Sequence, residues 1–352
     1  MQDMTNMRDS GCAVAPGRVG GRRRFISICA AVSGLATVPA WARQAAAPEM
    51  THRWQGIALG ADASLEIRHP DAVLAQRVLT QVQAELERLE QLFSLYRPDS
   101  ALVALNQQGV LAEPAGEMLT LLSESVHFGQ LTDGAFDISV QPLWRVYADH
   151  FSEAQADPAG PTVAALAAAR EKVDYRRIAL DSDAVRLQPG MALTLNGIAQ
   201  GYVTDRIVAL LRQAGIEHAL VDMGEIYGMA PEAVAPWRVG LQDAARLESL
   251  SRTLDVANQA VATSGGYGTP LDMAGRFNHL FDPRTGLTGR RYASVSVAAR
   301  RATTADAMST AFSLMPEAQI DTLAQSLQLD VYVQHHDGSQ AEWRYADPAQ
   351  NA

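Results

Sequence analysis

Cysteine is nearly missing from this chain: of 352 residues only Cys12 and Cys29 are cysteines. Both fall in the first 42 residues, which read as a removable leader, so the remainder has no thiol for a disulfide, a thiolate metal site or a nucleophile. Lysine is scarcer still. Lys172 is the only one, so any fixed positive charge at a site is a guanidinium. Basic residues are also in the minority, 29 Lys and Arg against 39 Asp and Glu, for a formal net charge of -10 at pH 7. That balance argues against nucleic acid as a partner. No segment after the leader approaches the roughly eighteen consecutive apolar residues of a transmembrane helix, so no stable membrane span is expected after processing. The sequence has no internal repeat.

The leader itself is informative. Arg22-Arg23-Arg24-Phe25-Ile26 fits the twin-arginine export pattern, a mildly apolar stretch follows over 26–38, and Ala40-Trp41-Ala42 supplies a small-x-small cleavage signature, with Ala45-Ala46-Ala47 as an alternative. Residues 1–42 are therefore expected to be a twin-arginine signal peptide and the protein periplasmic. Cys29 lacks the sequence context of a lipidated cysteine. Removing 1–42 takes away five arginines and two aspartates, so the remainder, 43–352, is more acidic still.

Apolar periodicity organises that remainder. Leu74, Val78, Val82, Leu86, Leu89 and Phe93 recur every three to four positions and predict an amphipathic helix over 72–93. Further helices are expected over 117–131, after Pro161, over 198–214 and from 304 to 315 and beyond. Strands are expected within 54–68, at 178–180, 185–187, 193–195 and 218–222, through much of the segment up to 299, and at 329–333. The stretch 153–161, with its Ala, Asp, Pro and Gly, reads as a surface loop or a boundary between lobes. Helices mixed with mostly antiparallel strands, without regular βα alternation, indicate an α+β protein in two intimate lobes.

Four segments carry the chemistry. The first is Ser94-Leu95-Tyr96-Arg97-Pro98-Asp99-Ser100 with Leu105-Asn106, in which Tyr96 offers a flat face and a polar tip. The second is Gly134-Ala135-Phe136-Asp137 with Pro142-Leu143-Trp144. Gly134 permits a tight backbone and Asp137 can accept from a sugar hydroxyl. The third, Asn196-Gly197-Ile198-Ala199-Gln200-Gly201-Tyr202-Val203-Thr204-Asp205, reads as a glycine turn opening a helix whose N–H groups suit a pyrophosphate. The fourth is Asn278-His279-Leu280-Phe281-Asp282-Pro283-Arg284-Thr285-Gly286, with Thr263-Ser264-Gly265 upstream. A lone histidine in a strand is commonly a satisfied core residue; with a near-neutral pKa it can equally serve as a base. Thr304-Ala305-Asp306-Ala307-Met308-Ser309-Thr310 follows. Asp306 and Thr310, four apart on a helix, fall on one face with Ser309 on the same side, a hard-oxygen set suited to Mg²⁺. Taken alone, the same aspartate also suits the positive end of a helix.

Together these segments resemble the FAD:protein FMN transferases, the ApbE-type flavin transferases, over about 59–315. The Leu195–Tyr202 wording and the twin-arginine pattern also look like the NosX-type members linked to nitrous oxide reduction. The resemblance implies an ApbE-like (T-fold-like) architecture and Mg²⁺-dependent transfer of FMN from FAD to a threonine of another protein, with release of AMP. It implies FAD contacts from Leu59, Tyr96, Ala135, Phe136, Asp137, Asn196, Tyr202 and Leu280. It also implies Mg²⁺ ligation by the Ala199 carbonyl, Asp306, Ser309 and Thr310, and His279 as the base, with Asp282 holding one imidazole tautomer. The implied partner is a flavin-acceptor protein, such as one of a respiratory or nitrous-oxide-reduction complex. Two residues depart from the family's wording: Gln200 stands where a lysine is usual, and Gly224-Glu225-Ile226 where Gly-Gly-Asp is common. Those departures keep open a flavin-binding or storage protein that has lost transfer; an FAD pyrophosphatase, sharing the metal and His279 and differing only in that water attacks instead of threonine, is a further alternative. No acceptor-like segment occurs in the chain itself.

Overall fold

A computed structural model of the chain describes residues 50–346, so the expected twin-arginine leader and both cysteines lie outside the described residues. The described chain opens with β1 (Thr51–Ala58), β2 (Ala61–Arg68), α1 (Ala72–Phe93), α2 (Ala101–Gln108), β3 (Val110–Ala112), α3 (Gly116–Leu131), α4 (Gln141–Ser152) and α5 (Val163–Arg170). It continues through β4 (Ala179–Leu180), β5 (Ala184–Arg186), α6 (Ala199–Gln213), β6 (Ala219–Asp222), β7 (Ile226–Met229), β8 (Trp237–Asp243) and β9 (Arg246–Val256). The last elements are β10 (Gln259–Ser264), β11 (Ser294–Ala299), α7 (Ala302–Phe312), α8 (Glu317–Leu327), β12 (Asp330–Gln334) and β13 (Gln340–Arg344).

Eight strands form one sheet in the order β1-β2-β6-β7-β10-β11-β12-β13, and every neighbouring pair is antiparallel. Both faces of its centre are buried, and the two-residue period of a strand shows how. Along β10, Ala260 and Ala262 join the large helix-side core while Val261 points to the other face. On β11, Val295, Val297 and Ala299 go one way and Ala298 the other. The second face is covered by the β8–β9 hairpin through Val239, Leu241 and Val256. This is an α+β architecture with mixed helices and antiparallel sheets, as the pattern of elements indicated.

Local chemistry explains the elements that matter for the site. Asp71 caps α1 by accepting from the Val73 and Leu74 N–H groups at 2.9 and 3.0 Å, and Ala75, Val78, Val82, Leu86, Leu89 and Phe93 bury one stripe of that helix. Helices α6 and α7 cap each other. Asp205 of α6 accepts from the Ala302 and Thr303 N–H groups at the start of α7, at 2.7 and 3.0 Å. Asp306 of α7 returns the contact, accepting from the Gly201 N–H in the first turn of α6 at 3.0 Å. The helices approach closely enough for this because residue 201 is glycine: a Cβ there would lie 2.3 Å from the Ala302 carbonyl oxygen.

Two expectations change and a third is narrowed to one of its two alternatives. The 193–195 stretch is not a strand; Asn106 takes the place of a sheet neighbour, donating from its side chain to the Leu193 carbonyl at 2.8 Å and accepting from the Leu193 N–H at 2.6 Å. The 153–161 stretch is a loop between α4 and α5, which pack on one another through Leu143, Tyr147, Leu166 and Ala169, so no boundary between lobes falls there. His279 lies in irregular chain between two isolated bridges, Pro270 with Asn278 and Phe281 with Thr288, rather than in a strand.

Candidate active site

A cavity of about 140 Å³ opens where the β10 end, the α6 start, α7 and the His279 segment meet. Its lining includes Ala135, Phe136, Asp137, Asn196, Gln200, Glu225, Ser264, His279, Leu280, Asp306 and Thr310. Two further spaces adjoin it through shared walls. One of about 330 Å³ is lined by Leu95, Tyr96, Asn106, Gln141, Trp144 and Asn196; a slot of about 10 Å³ is lined by Leu59, Phe93, Tyr96, Asn196, Ala199 and Gln200. Asn196 borders all three.

The structure thus brings together most of the residues selected from the sequence, and reassigns several. Tyr202 is a core residue: it is 6% exposed and packs edge-on against Phe93, ring centroids 5.5 Å apart, outside all three spaces. Ser309 is also buried. Its hydroxyl donates to the Asp306 carbonyl at 3.0 Å and shares a hydrogen bond with Ser264 at 2.8 Å, so it shapes the α7 turn while Thr310 reaches the cavity. Asp137 lines the cavity, but its carboxylate already accepts from the Ser139 N–H and hydroxyl and the Tyr175 N–H, which makes it a turn anchor. The Asp282 carboxylate, expected to orient His279, is engaged by Arg284. It accepts from that residue's backbone N–H and Nε, each at 2.9 Å, and from Nη2 at 3.1 Å, closing the Asp-Pro-Arg-Thr-Gly turn.

The His279 segment is held by its neighbours on both sides. Phe277 and Phe281 pack on Tyr147 of α4 with ring centroids 5.6 and 5.3 Å apart. Asn278, 6% exposed, donates to the Gly289 carbonyl at 2.8 Å and accepts from the Leu280 N–H at 2.9 Å. That side chain fixes the turn carrying the histidine. Its role was missed in the sequence, although an Asn two residues before a loop N–H is a recognisable turn signal. Ser264 was quoted in the sequence without a role; its hydroxyl lies 2.8 Å from Ser309 and 3.3 Å from Thr310 and ties β10 to α7.

The cavity is acidic inside. Burial pushes the Asp306 carboxyl up to about 7 against the hydrogen bond from Gly201, with Asp205 nearby acting in the same direction as burial. Glu225 is raised well above the usual carboxylate range, first by burial and then by the Asp306 and Asp222 carboxylates. Asp222, beneath the Gly224 turn, is pushed up to about 6, again mainly by burial. Neither arginine nor lysine lines this cavity among the described residues. Nor does any cluster of three or more His, Cys, Asp or Glu side chains there suit a metal. The oxygen groups of α7 still suit a hard cation that takes waters and a phosphate as its other ligands. Phosphate oxygens entering this space would meet carboxyl groups and no guanidinium, an arrangement whose charge a hard cation would offset.

The chain is similar to known proteins over most of its length. The ApbE family model matches residues 59–333. A protein named FAD:protein FMN transferase from Vibrio cholerae serotype O1 is 28% identical over 275 residues, covering 75% of this chain and 81% of its own. One of the same name from Treponema pallidum is 32% identical, covering 68% and 73%. Among solved structures, the flavin transferase ApbE from Vibrio cholerae superposes with a TM-score of 0.72 at 25% identity, covering 85% of this chain and 98% of that one. The apbe protein from Thermotoga maritima shares the fold with a TM-score of 0.73. With the family model spanning residues 59–333, most of its length, this chain belongs to the ApbE family.

Proposed function

We infer that this chain is an FAD:protein FMN transferase, moving the FMN half of FAD onto a target protein and releasing AMP. The observation that carries the reading is one cavity lined by both the oxygen groups of α7, Asp306 and Thr310, and by His279. We propose further that Mg²⁺ is required and that the acceptor atom is a threonine hydroxyl. Asp306 and Thr310, with the Ala199 carbonyl, would hold the ion, and when bound it would offset the charge of the pyrophosphate. Asn196, which borders all three spaces, would orient the middle of FAD. Phe136 and Leu280 supply apolar walls for its flat rings, and Leu59 and Tyr96 border the outer end.

The bond formed joins the threonine Oγ to the phosphorus of the FMN half, and the bond broken is from that phosphorus to the bridging oxygen, which leaves with AMP. His279 accepts the hydroxyl proton as the new bond forms. If water enters instead of the threonine, the products are FMN and AMP.

Export is part of the proposal: Arg22-Arg23-Arg24-Phe25-Ile26 supports delivery to the periplasm by the twin-arginine route, where the acceptor would be met. A strain lacking that route should retain the protein in the cytoplasmic fraction; undiminished periplasmic protein would remove this element.

Incubating purified protein with FAD, Mg²⁺ and a candidate periplasmic acceptor domain tests the activity. Transfer gives AMP and an acceptor whose threonine peptide carries FMN by mass spectrometry. Free FMN with AMP indicates a pyrophosphatase, and bound FAD without AMP indicates storage; either result as the sole outcome contradicts the reading.

A further inference from the structure

Three side chains in the cavity have work that the residues above leave undone. Glu225, Asp306 and Gln200 are 8%, 3% and 5% exposed, and all three line the same cavity. They come from three places: Glu225 from the turn between β6 and β7, Gln200 from the first turn of α6 and Asp306 from α7. Their juxtaposition is built in. Gly224, at φ +103°, lets the β6–β7 turn lie directly beneath the Gln200 amide; a Cβ at 224 would fall 2.1 Å from Nε2. The Glu225 carbonyl accepts from the Thr204 hydroxyl at 3.1 Å, which ties the start of that side chain to α6. One Asp306 oxygen is held by the Gly201 N–H.

The Gln200 Nε2 is buried and makes no hydrogen bond to any described protein atom, although it borders a polar cavity. A buried amide that faces polar space and finds no protein partner is a group kept for something that enters that space. Two buried carboxylates in one cavity repel each other unless a proton or a cation stands between them. Neither arginine nor lysine is among the described lining residues, so these supply no fixed cation. Hard divalent cations are bound by just such sets, a few carboxylate oxygens plus neutral oxygen donors and water.

We propose that Glu225 is a second anionic ligand of the divalent-cation site built around Asp306, and that the neutral Gln200 amide keeps this carboxylate pair open to the cation while binding its water or the phosphate beside it. The inference rests on the reading that this cavity holds a divalent cation. It adds a carboxylate that the α7 oxygen set does not contain, and it assigns a function to the side chain at 200 being uncharged.

The test is Mn²⁺ binding to the metal-stripped full protein without FAD, followed by electron paramagnetic resonance and by calorimetry. Wild type should bind, and Asp306→Asn should lose binding. Glu225→Gln should weaken Mn²⁺ by roughly tenfold to a hundredfold, whereas Glu225→Asp, which keeps the charge, should retain most of the affinity. Gln200→Lys should weaken binding to a similar extent, because its ammonium would pair with the carboxylates and take the cation's place; Gln200→Met should weaken it much less. Should Glu225→Gln fail to fold, Glu225→Met, uncharged and close in volume, takes its place with the same expected loss, while the Gln200→Lys and Gln200→Met pair tests the neutral amide. Wild-type Mn²⁺ affinity in folded Glu225→Gln, with binding lost in Asp306→Asn, overturns the proposal and leaves the underlying site intact. Equal affinities in Gln200→Lys and Gln200→Met also overturn it. No Mn²⁺ binding by wild type would overturn both.

Discussion

The α6–α7 pair and the 265–289 segment reach the same cavity, yet they are fixed by different means. The helix pair is held by reciprocal aspartate caps and a glycine contact, and its oxygen groups sit at helical spacing over the central sheet. The histidine segment has little regular structure. Two aromatic rings and one buried asparagine side chain hold it in place. The difference teaches that the half of the site carrying the α7 oxygens is part of the core, whereas the half carrying His279, the proposed proton acceptor, is a turn pinned from beneath. The first should fail by losing ligands and the second by losing position.

The sharpest break concerns Asp306, which carries two tasks. Asp306→Ala removes both the proposed ligand and the acceptor for the Gly201 N–H, while Asp306→Asn removes the charge and keeps an acceptor. Turnover should fall at least about a hundredfold in both, since a metal supplies several kcal/mol of transition-state stabilisation. Only the alanine variant should also lose about 1 kcal/mol of stability, the usual scale for a helix cap. Chemical denaturation beside AMP release separates the two losses; equal stability in both variants would show that the cap contributes nothing.

On the loop side, Asn278→Ala leaves the Gly289 carbonyl and the Leu280 N–H without their buried partner. Stability should drop by about 1–3 kcal/mol. Turnover should drop roughly tenfold to a hundredfold, as expected when a reacting group is displaced by about an ångström. Mn²⁺ affinity should stay at the wild-type value, because the α7 oxygens are untouched. A matching loss of Mn²⁺ affinity would mean that the two regions are not separable.

A pH series sharpens the comparison further. Asp306 is raised from 3.8 to about 7 by burial, so the native state binds this proton more tightly than the unfolded chain does. Between those values the unfolded chain releases it first, and this group therefore lowers the stability of metal-free protein as pH rises from about 4 to about 7. Melting temperatures in chelator should show a component of that sign which Asp306→Asn lacks. An unchanged pH slope in the variant would contradict the assignment.

The smallest effect belongs to Asp282→Asn. The Asp282–Arg284 pair is partly exposed, with the arginine side chain 45% accessible, and such pairs contribute about 0–1 kcal/mol. Activity should change by less than about threefold. A loss comparable to that of a missing base would return the carboxylate to a direct role beside the histidine.

How much of this was legible in the sequence follows from the same contrast. The spacing of Asp306 and Thr310 is local information, and the helix placed both on one side as a period of 3.6 requires. The reciprocal cap was not legible, because Asp205 meets the start of α7 across 97 positions of sequence. Ser309 was placed beside Asp306 by helical spacing, which cannot show that its hydroxyl is taken by Ser264 and the Asp306 carbonyl, and Tyr202 came from resemblance to a string, which does not show which side of a helix turns inward to the core. The 193–195 stretch alternates like a strand, but its polar partner is a side chain, Asn106, 87 positions away. Glu225 was visible only as a departure from a common wording; its burial beside Gln200 and Asp306 depends on three elements meeting.

The most direct test of the account is His279→Ala, measured for FAD binding by flavin fluorescence and for single-turnover AMP release at saturating FAD and Mg²⁺. If the histidine serves as the base on a separately anchored turn, FAD and Mg²⁺ should bind as in wild type while the single-turnover rate falls by roughly 10²- to 10⁴-fold. Weakened FAD binding with a normal single-turnover rate would contradict it, leaving His279 as a wall of the binding site rather than the acceptor of the threonine proton.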